Sequence, residues 1–171
     1  MKKIMMLFSV MLISLAVTAA DIKVVSGKAS FMKREGSAVV LFNWDDAKYD
    51  NKESMKDYWK DDYDQYISEG KKKFIEGFNK SSKKVKLGDS DDAGYTFTVA
   101  VANIDYFFSV MSFIPGHKHK IWCTITITEK ATGNEICKIN VDEFKGGRDF
   151  SKFDSFTEMM HDLGKYIGKM K

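Results

Sequence analysis

The sequence predicts an α+β fold, a two-layer sandwich in which a mostly antiparallel sheet carries two helices on one face. Two observations indicate the sheet: apolar and polar residues alternate over Tyr95–Ala102, and a hairpin pattern covers Ile121–Val141. Two helices are indicated by apolar residues at spacings of three and four, in one segment after Ser54 and in another after Ser155. The predicted order is strands, helix, strands, helix.

The first twenty residues have the layout of a secretory signal peptide. A basic start, Met1-Lys2-Lys3, precedes the apolar run Ile4–Val17 and small residues up to Ala20. As a helix, this run is about 21 Å long, short of the roughly 30 Å hydrocarbon core that an anchor must cross. We therefore expect residues 1–20 to be a signal peptide cleaved after Ala20, a periplasmic or secreted location, and one domain over residues 21–171. An uncleaved anchor helix is the alternative.

The charge balance argues against a nucleic-acid partner. The chain has 27 Lys and Arg against 24 Asp and Glu, and Lys2 and Lys3 belong to the signal segment. Phosphate binding needs a concentrated positive field, which a nearly neutral mature chain does not supply. Two cysteines exclude a disulfide scaffold. No transmembrane segment is expected in the mature chain.

The first half of the mature chain is predicted to hold two strands and a long helix. Mixed apolar and small residues predict a strand over Ile22–Lys33, and the nearly continuous apolar run Ala38–Trp44 predicts a central strand. The helix is predicted within Ser54–Asn79, on the apolar stripe Met55, Trp59, Tyr63, Ile67, Gly70, Phe74 and Phe78. Its second half is rich in lysine (Lys71, Lys72, Lys73 and Lys80). These lysines are either a solvated face that complements the helix dipole or an anion-binding patch.

The predicted hairpin determines the expected state of the cysteines. A three-residue loop at 131–133, with Gly in the left-handed position, places Ile127 opposite Cys137 and Cys123 opposite Val141. One face of the hairpin is then apolar, and the other carries Thr124, Thr126 and Thr128. The two cysteines lie about 14 Å apart along the strands, too far for a disulfide. We expect two buried, unpaired thiols.

The last helix is predicted to begin near Ser155. The run Ser155-Phe156-Thr157-Glu158 matches a capping box, in which the hydroxyl and the carboxylate satisfy backbone N–H groups. Its expected core stripe is Phe153, Phe156, Met160, Leu163, Ile167 and Met170.

An apolar segment follows the alternating strand and is the candidate interaction site. Asn103-Ile104-Asp105 is expected to interrupt the strand, and Tyr106–Ile114 is then apolar on both alternating faces. One interpretation is a buried or central strand; the other is an exposed patch that contacts a partner or lipid. The candidate interaction residues are Phe107, Phe108, Val110, Met111, Phe113 and Ile114.

No pattern in the sequence assigns catalytic, metal or cofactor-binding residues. His117-Lys118-His119 could present two imidazoles on one strand face, but a metal site needs three or four ligands. We expect a polar loop there, after Pro115-Gly116, and we place no partner for His161. Motifs for a nucleophile elbow, a phosphate loop or a dinucleotide fingerprint are missing from the sequence. No cofactor is expected.

Four short motifs carry a resemblance to small exported proteins of unknown function from Bacteroides-type bacteria. They are Asp21-Ile22-Lys23-Val24-Val25-Ser26-Gly27 after the signal segment, Gly77-Phe78-Asn79, Ala131-Thr132-Gly133-Asn134-Glu135 and Leu163-Gly164-Lys165-Tyr166-Ile167. More distantly, the order of elements looks like small envelope lipoprotein domains, although the lipidated cysteine of those domains is missing. The resemblance implies a periplasmic or secreted location and supplies no catalytic residues.

These observations favour a non-catalytic envelope protein that binds a protein partner or an apolar ligand. The alternative is a hydrolase whose site is assembled only in three dimensions, which predicts a polar cleft with converging acids or histidines. A third hypothesis is a surface structural component that self-associates through the Thr-rich face or an open sheet edge.

Overall fold

The computed structural model describes residues 21–90, 92–109 and 116–170. The predicted signal peptide, residues 1–20, lies outside them. The elements in chain order are β1 (Asp21–Gly27), β2 (Gly36–Asn43), β3 (Lys48–Tyr49), β4 (Glu53–Ser54), α1 (Met55–Trp59), α2 (Tyr63–Ser81), β5 (Val85–Gly88), β6 (Tyr95–Ser109), β7 (Gly116–Glu129), β8 (Glu135–Asp149) and α3 (Lys152–Ile167). Short 3-10 helices cover Ala29–Lys33 and Lys60–Asp62.

The strands form one mixed sheet in the order β1-β8-β7-β6-β2-β5, and the small β3–β4 hairpin attaches to β6 through β3. Strands β1, β8, β7 and β6 are antiparallel neighbours. Strand β2 runs parallel to both β6 and β5. The α+β class is therefore confirmed. The predicted central strand β2 lies inside the sheet but next to the edge strand β5, and antiparallel pairing is limited to β1, β8, β7 and β6 and to the small β3–β4 hairpin.

The β7–β8 hairpin has the predicted register. Ile127 pairs with Cys137, Ile125 with Ile139, and Cys123 with Val141. Gly133 has the left-handed φ of 72° that the three-residue loop requires. The apolar face of the hairpin is buried, because each of its six side chains is at most 3% exposed: Cys123, Ile125, Ile127, Cys137, Ile139 and Val141. Both cysteines are free, as predicted.

The first strand and the first helix are both shorter than predicted. The strand expected over Ile22–Lys33 ends at Gly27, where a β-bulge region gives way to a 3-10 helix that buries Phe31 and Met32. The helix expected within Ser54–Asn79 is broken at Lys60, which has a φ of 49°.

The break in the helix permits an aromatic contact that a continuous helix forbids. The rings of Trp59 and Tyr66 stack with centroids 4.3 Å apart. In an unbroken helix, residues seven apart are two turns, about 10 Å, from each other. Tyr58 stacks on Tyr49 of the β3–β4 hairpin in the same region, at 3.5 Å. Tertiary aromatic packing therefore overrides the local helical pattern here.

The last helix begins one turn earlier than predicted. Ser151 is its N-cap, and its hydroxyl accepts a hydrogen bond from the Asp154 N–H at 3.3 Å. Ser155 is fully buried inside the helix, and Glu158 accepts from the backbone N–H of Arg148 at 2.7 Å instead of closing a capping box. The predicted core stripe is otherwise right, because Phe156, Met160, Leu163 and Ile167 are buried.

Two glycines allow α2 and α3 to touch along their backbones. A Cβ on Gly77 would lie 2.0 Å from the carbonyl oxygen of His161, and one on Gly164 would lie 2.1 Å from that of Phe74. No side chain fits at either position without moving the helices apart. The close approach places Phe74 and Phe78 of α2 in the core, both fully buried.

None of the helices in the described ranges combines the length and the apolar composition needed to span a bilayer.

We expect Gly77→Ala and Gly164→Ala each to lower the free energy of unfolding by about 1–3 kcal/mol, because the overpacking cost exceeds the gain in helix propensity. Urea unfolding followed by circular dichroism measures this. Gly88→Ala is the matched control, since nothing lies within 4 Å of its Cβ position. Equal stability of all three variants would contradict the close helix contact.

We expect neither cysteine to react with iodoacetamide in the folded protein. Burial raises the pKa of the Cys123 thiol to about 12 and also raises that of Cys137, and only thiolates react readily. Intact mass measured without reductant should show two free thiols, which label only in denaturant. Labelling under native conditions would contradict the burial of the thiols, and an intramolecular disulfide would refute the hairpin register.

Candidate functional site

The candidate interaction segment lies at the far end of β6, and only part of it is described. Phe107 and Phe108 belong to the strand. The other predicted interaction residues, Val110, Met111, Phe113 and Ile114, lie outside the described residues. The strand itself is continuous through Asn103–Asp105, so the predicted interruption is wrong. The physical event there is a β-bulge between Val101 and Asn103, opposite β7.

The bulge decides which aromatic rings share a face. It shifts the alternation of side chains by one residue. Ile104 and Tyr106, which follow the bulge, therefore lie on the same face of the sheet as Val101, which precedes it. Ile104 pairs with Ile121, Tyr106 with His119 and Phe108 with His117. Asn103 is buried at the bulge, where its side-chain oxygen accepts from the Asn51 N–H at 2.8 Å and its amide donates to Asp105 at 2.6 Å.

We use the name strand-end patch for five side chains at this end of the sheet: Tyr106, Phe108, His117 and Lys152, which are joined by contacts, and the exposed Phe150. The His117 ring lies 5.2 Å from Tyr106 and 5.3 Å from Phe108, and its Nδ1 is hydrogen-bonded to the Tyr106 hydroxyl. The Lys152 ammonium lies 4.6 Å from the centre of the Tyr106 ring, a cation–π contact. Phe108 is 49% exposed and Phe150 is 74% exposed.

Phe108 and Phe150 lie at the same end of the sheet although 42 positions separate them in the sequence. Phe108 pairs with His117, and His117 pairs with Asp149, the residue before Phe150. Neighbouring strands are about 4.8 Å apart, so the backbones of Phe108 and Asp149 are roughly 10 Å apart, and Phe150 follows Asp149 directly. The patch therefore presents two exposed aromatic rings at one end of the sheet.

Phe107 does not belong to this patch. It points to the opposite face of β6, where the Lys120 ammonium lies 5.4 Å from its ring. Lys120 and Lys145 both pair with Glu143, at 3.0 and 2.7 Å, and these hydrogen bonds, the one from Lys145 first, lower the pKa of the Glu143 carboxyl. The predicted segment is thus divided between two faces.

The histidine cluster lies on β7, so the predicted polar loop is wrong. His117 is half-buried, and His119 is 1% exposed. The ring of His119 lies 5.9 Å from Phe156 of α3, and its Nδ1 is 3.1 Å from the Ser155 hydroxyl. The Ser155 hydroxyl in turn donates to the backbone carbonyl of His117 at 2.9 Å. These bonds fix the first turns of α3 onto the end of β7.

The Ser155–His119 pair is oriented against nucleophilic catalysis. A hydroxyl has one proton, and Ser155 gives it to the His117 carbonyl, so His119 must donate its Nδ1 proton to Ser155. A nucleophile–base pair needs the reverse, with the serine donating to the histidine. Ser155 is also fully buried. The pair is a structural link between helix and sheet.

Within the described ranges, no group of three His, Cys, Asp or Glu side chains is arranged to hold a metal ion. His161, for which the sequence placed no partner, lies on α3 with its Nδ1 3.7 Å from the Asp162 carboxylate. The patch residues that sequence reasoning missed are Phe150 and Lys152, because only the pairing of β7 with β8 brings them to Phe108.

We expect the stability of the protein to fall as the pH drops below about 6.5. Burial first, then the nearby charges of His117 and Lys152, lower the pKa of His119 to about 3. Between these pH values the unfolded chain takes up a proton that the folded chain excludes, so the stabilisation present above pH 6.5 is lost on acidification.

His119 alone is expected to lower the free energy of unfolding by at most about 1.4 kcal/mol for each pH unit of acidification. Urea unfolding of the protein and of His119→Gln, compared between pH 7 and pH 4.5, isolates the contribution of His119, since the glutamine amide does not titrate. His161→Gln, on the half-buried face of α3, is the control. Identical pH profiles for the protein and His119→Gln would show that His119 does not carry the effect.

Comparison with known proteins gives structural neighbours without a family. No family model matches the chain, and no curated protein matches it. Its fold is similar to a PelC dodecamer subunit from Paraburkholderia phytofirmans, at 12% identity, 90% of this chain, 100% of that chain and a TM-score of 0.48. A point variant of that PelC matches at 14% identity, 85% and 96% coverage and a TM-score of 0.48. A putative neuraminyllactose-binding hemagglutinin homolog from Helicobacter pylori matches at 8% identity, 82% of each chain and a TM-score of 0.34.

Proposed function

We propose that this protein is an exported, non-catalytic envelope protein that binds a protein partner through the strand-end patch. The observation that carries the proposal is the exposure of Phe108 and Phe150 at one end of the sheet. Large apolar side chains that lie together on a surface are typical of partner contacts, because their removal from water by a partner is favourable.

The partner that fits offers an apolar side chain and an acidic group. The two phenylalanines supply the apolar contact. Lys152 lies between the Tyr106 ring and the Tyr58 hydroxyl, to which its ammonium donates at 3.4 Å. An ammonium held against aromatic rings at the rim of an interface is placed to contact a carboxylate of the partner.

The proposal includes a two-layer arrangement in which the helices cover one face of the sheet and the Thr-rich face stays open. Two ring contacts support it: Phe78 of α2 meets Phe97 at 5.5 Å, and Phe156 of α3 meets His119 at 5.9 Å. Phe97 pairs with Ile127, which shares a face with His119 in the alternation of β7. Both helices then pack on that face, and the patch lies at its end.

We expect a photo-crosslinking residue placed at Phe108 to form an adduct of defined mass with one envelope protein in living cells. Adding Phe150→Ser should abolish the adduct by removing half of the apolar contact, while Leu41→Ser should leave it unchanged. Leu41 is a matched control because it is also exposed, at 54%, but lies on β2.

Native mass spectrometry of the protein taken from its own cells provides the independent readout. A complex that contains the crosslinked protein and is lost in Phe150→Ser would support the proposal. A bare monomer together with no adduct at Phe108 would reject it, and an adduct that survives Phe150→Ser would show that Phe150 does not contribute to the interface.

A further inference from the structure

A groove lies where the C-terminal ends of α2 and α3 meet the 3-10 helix. Its volume is about 720 Å³, within the range of small-molecule sites. The lining residues that matter are Met32, Lys33, Lys83, Lys84, Lys169 and Met170. The groove is at the end of α3 opposite to the strand-end patch, and the sixteen residues of the helix separate the two by about 24 Å.

The rim of the groove is positively charged. Four exposed lysines line it, and its described lining contains no acidic side chain. Lys84 pairs with Glu35. Lys33, Lys83 and Lys169 make no ion pair within the described part of the chain. Like charges that converge on a concave surface without a counter-charge create a field that favours an anion.

These three lysines are not required to cap the helices. Lysines near helix C-termini commonly bind the last carbonyls. In α2 that role belongs to Lys86, whose ammonium donates to the carbonyls of Asn79 at 2.7 Å and Ser82 at 2.6 Å. In α3 the last carbonyls accept from backbone N–H groups, such as Gly168 N–H to Gly164 at 2.9 Å. The free ammonium groups therefore remain available to a ligand.

Two methionines contribute apolar surface to the groove, beside Ser81, Ser82 and Gly168. Met32 is 6% exposed, and Met170 is half-buried and packs against the core. Methionine side chains are unbranched and adapt to irregular apolar ligands, and the aliphatic stems of the lysines extend the apolar lining. A ligand that matches both features has a hydrocarbon chain and an anionic head group.

We propose that this groove binds a single-chain anionic amphiphile, of the chemical class of a long-chain carboxylate. The chain lies against Met32 and Met170, and the carboxylate contacts Lys33, Lys83 and Lys169. This is a second site, beyond the protein-binding role proposed for the strand-end patch, and it does not depend on that role.

Calorimetric titration with dodecanoate, below its micelle-forming concentration, tests the site. The protein is produced with its complete N-terminal sequence so that the host processes it. We expect one dodecanoate per chain, with Kd raised at least about tenfold in the triple variant Lys33→Gln, Lys83→Gln, Lys169→Gln. The matched control is Lys48→Gln, Lys52→Gln, Lys56→Gln, three exposed lysines on another part of the surface, which should bind as the unchanged protein does.

Two further ligands separate the chain from the charge. Dodecyltrimethylammonium, with the same chain and the opposite charge, should bind at least tenfold more weakly than dodecanoate, and inorganic phosphate should not displace dodecanoate. Methionine methyl NMR should show shifts at Met32 and Met170 but not at the buried Met55. Equal binding of both amphiphiles, displacement by phosphate alone, or an unchanged Kd in the groove triple variant would each overturn the proposal. Loss of the partner at the strand-end patch would leave all of these results unaffected.

Discussion

The backbone contact between α2 and α3 at Gly77 and Gly164 is the constraint on which the rest of the structure depends. Carbonyl oxygens occupy the positions that Cβ atoms would need, so the helices lie at the shortest distance that their backbones allow. That distance places Phe74, Phe78 and Phe156 together in the core. A third glycine, Gly147, extends the contact to the sheet: with a φ of 66°, its Cβ position lies 1.8 Å from the Ser155 carbonyl oxygen. The first turns of α3 therefore lie directly on β8, and Ser155 also meets His117 and His119 of the neighbouring strand β7.

Most of what the sequence predicted correctly depends on interactions between neighbours in the chain. The β7–β8 register follows from a three-residue loop and alternating side chains, and it is right at Ile127 and Cys137. The predictions that failed involve distant residues. The helix breaks at Lys60, where Trp59 stacks on Tyr66 across the break, and β6 continues past Asn103, where it stays paired with β7 through a bulge. Local patterns carry no information on either contact.

The candidate sites show the same division. Phe108 could be selected from the sequence, because apolar residues on both faces of a strand are conspicuous. Its partner Phe150 could not, since only the pairing of β6, β7 and β8 brings the two together. The groove could not be predicted from the sequence at all, because its lysines come from three separate segments around Lys33, Lys83 and Lys169. The lysines singled out within the helix behave as a solvated face instead: Lys72 and Lys73 pair with Glu69 and Glu76 of their own helix.

The glycine contact also bears on how the groove would bind. At Gly168 the end of α3 lies against the end of α2, with the Cβ position 2.7 Å from the Phe78 carbonyl oxygen. The walls of the groove are thus set by the same backbone contact that fixes the core. A site whose walls are already in place orders little on binding, so less of the interaction energy is lost to conformational entropy. The flexible parts are the lysine ammonium groups at the rim. Charge attraction then selects the head group, while the preformed surface at Met32 and Met170 contacts the hydrocarbon chain.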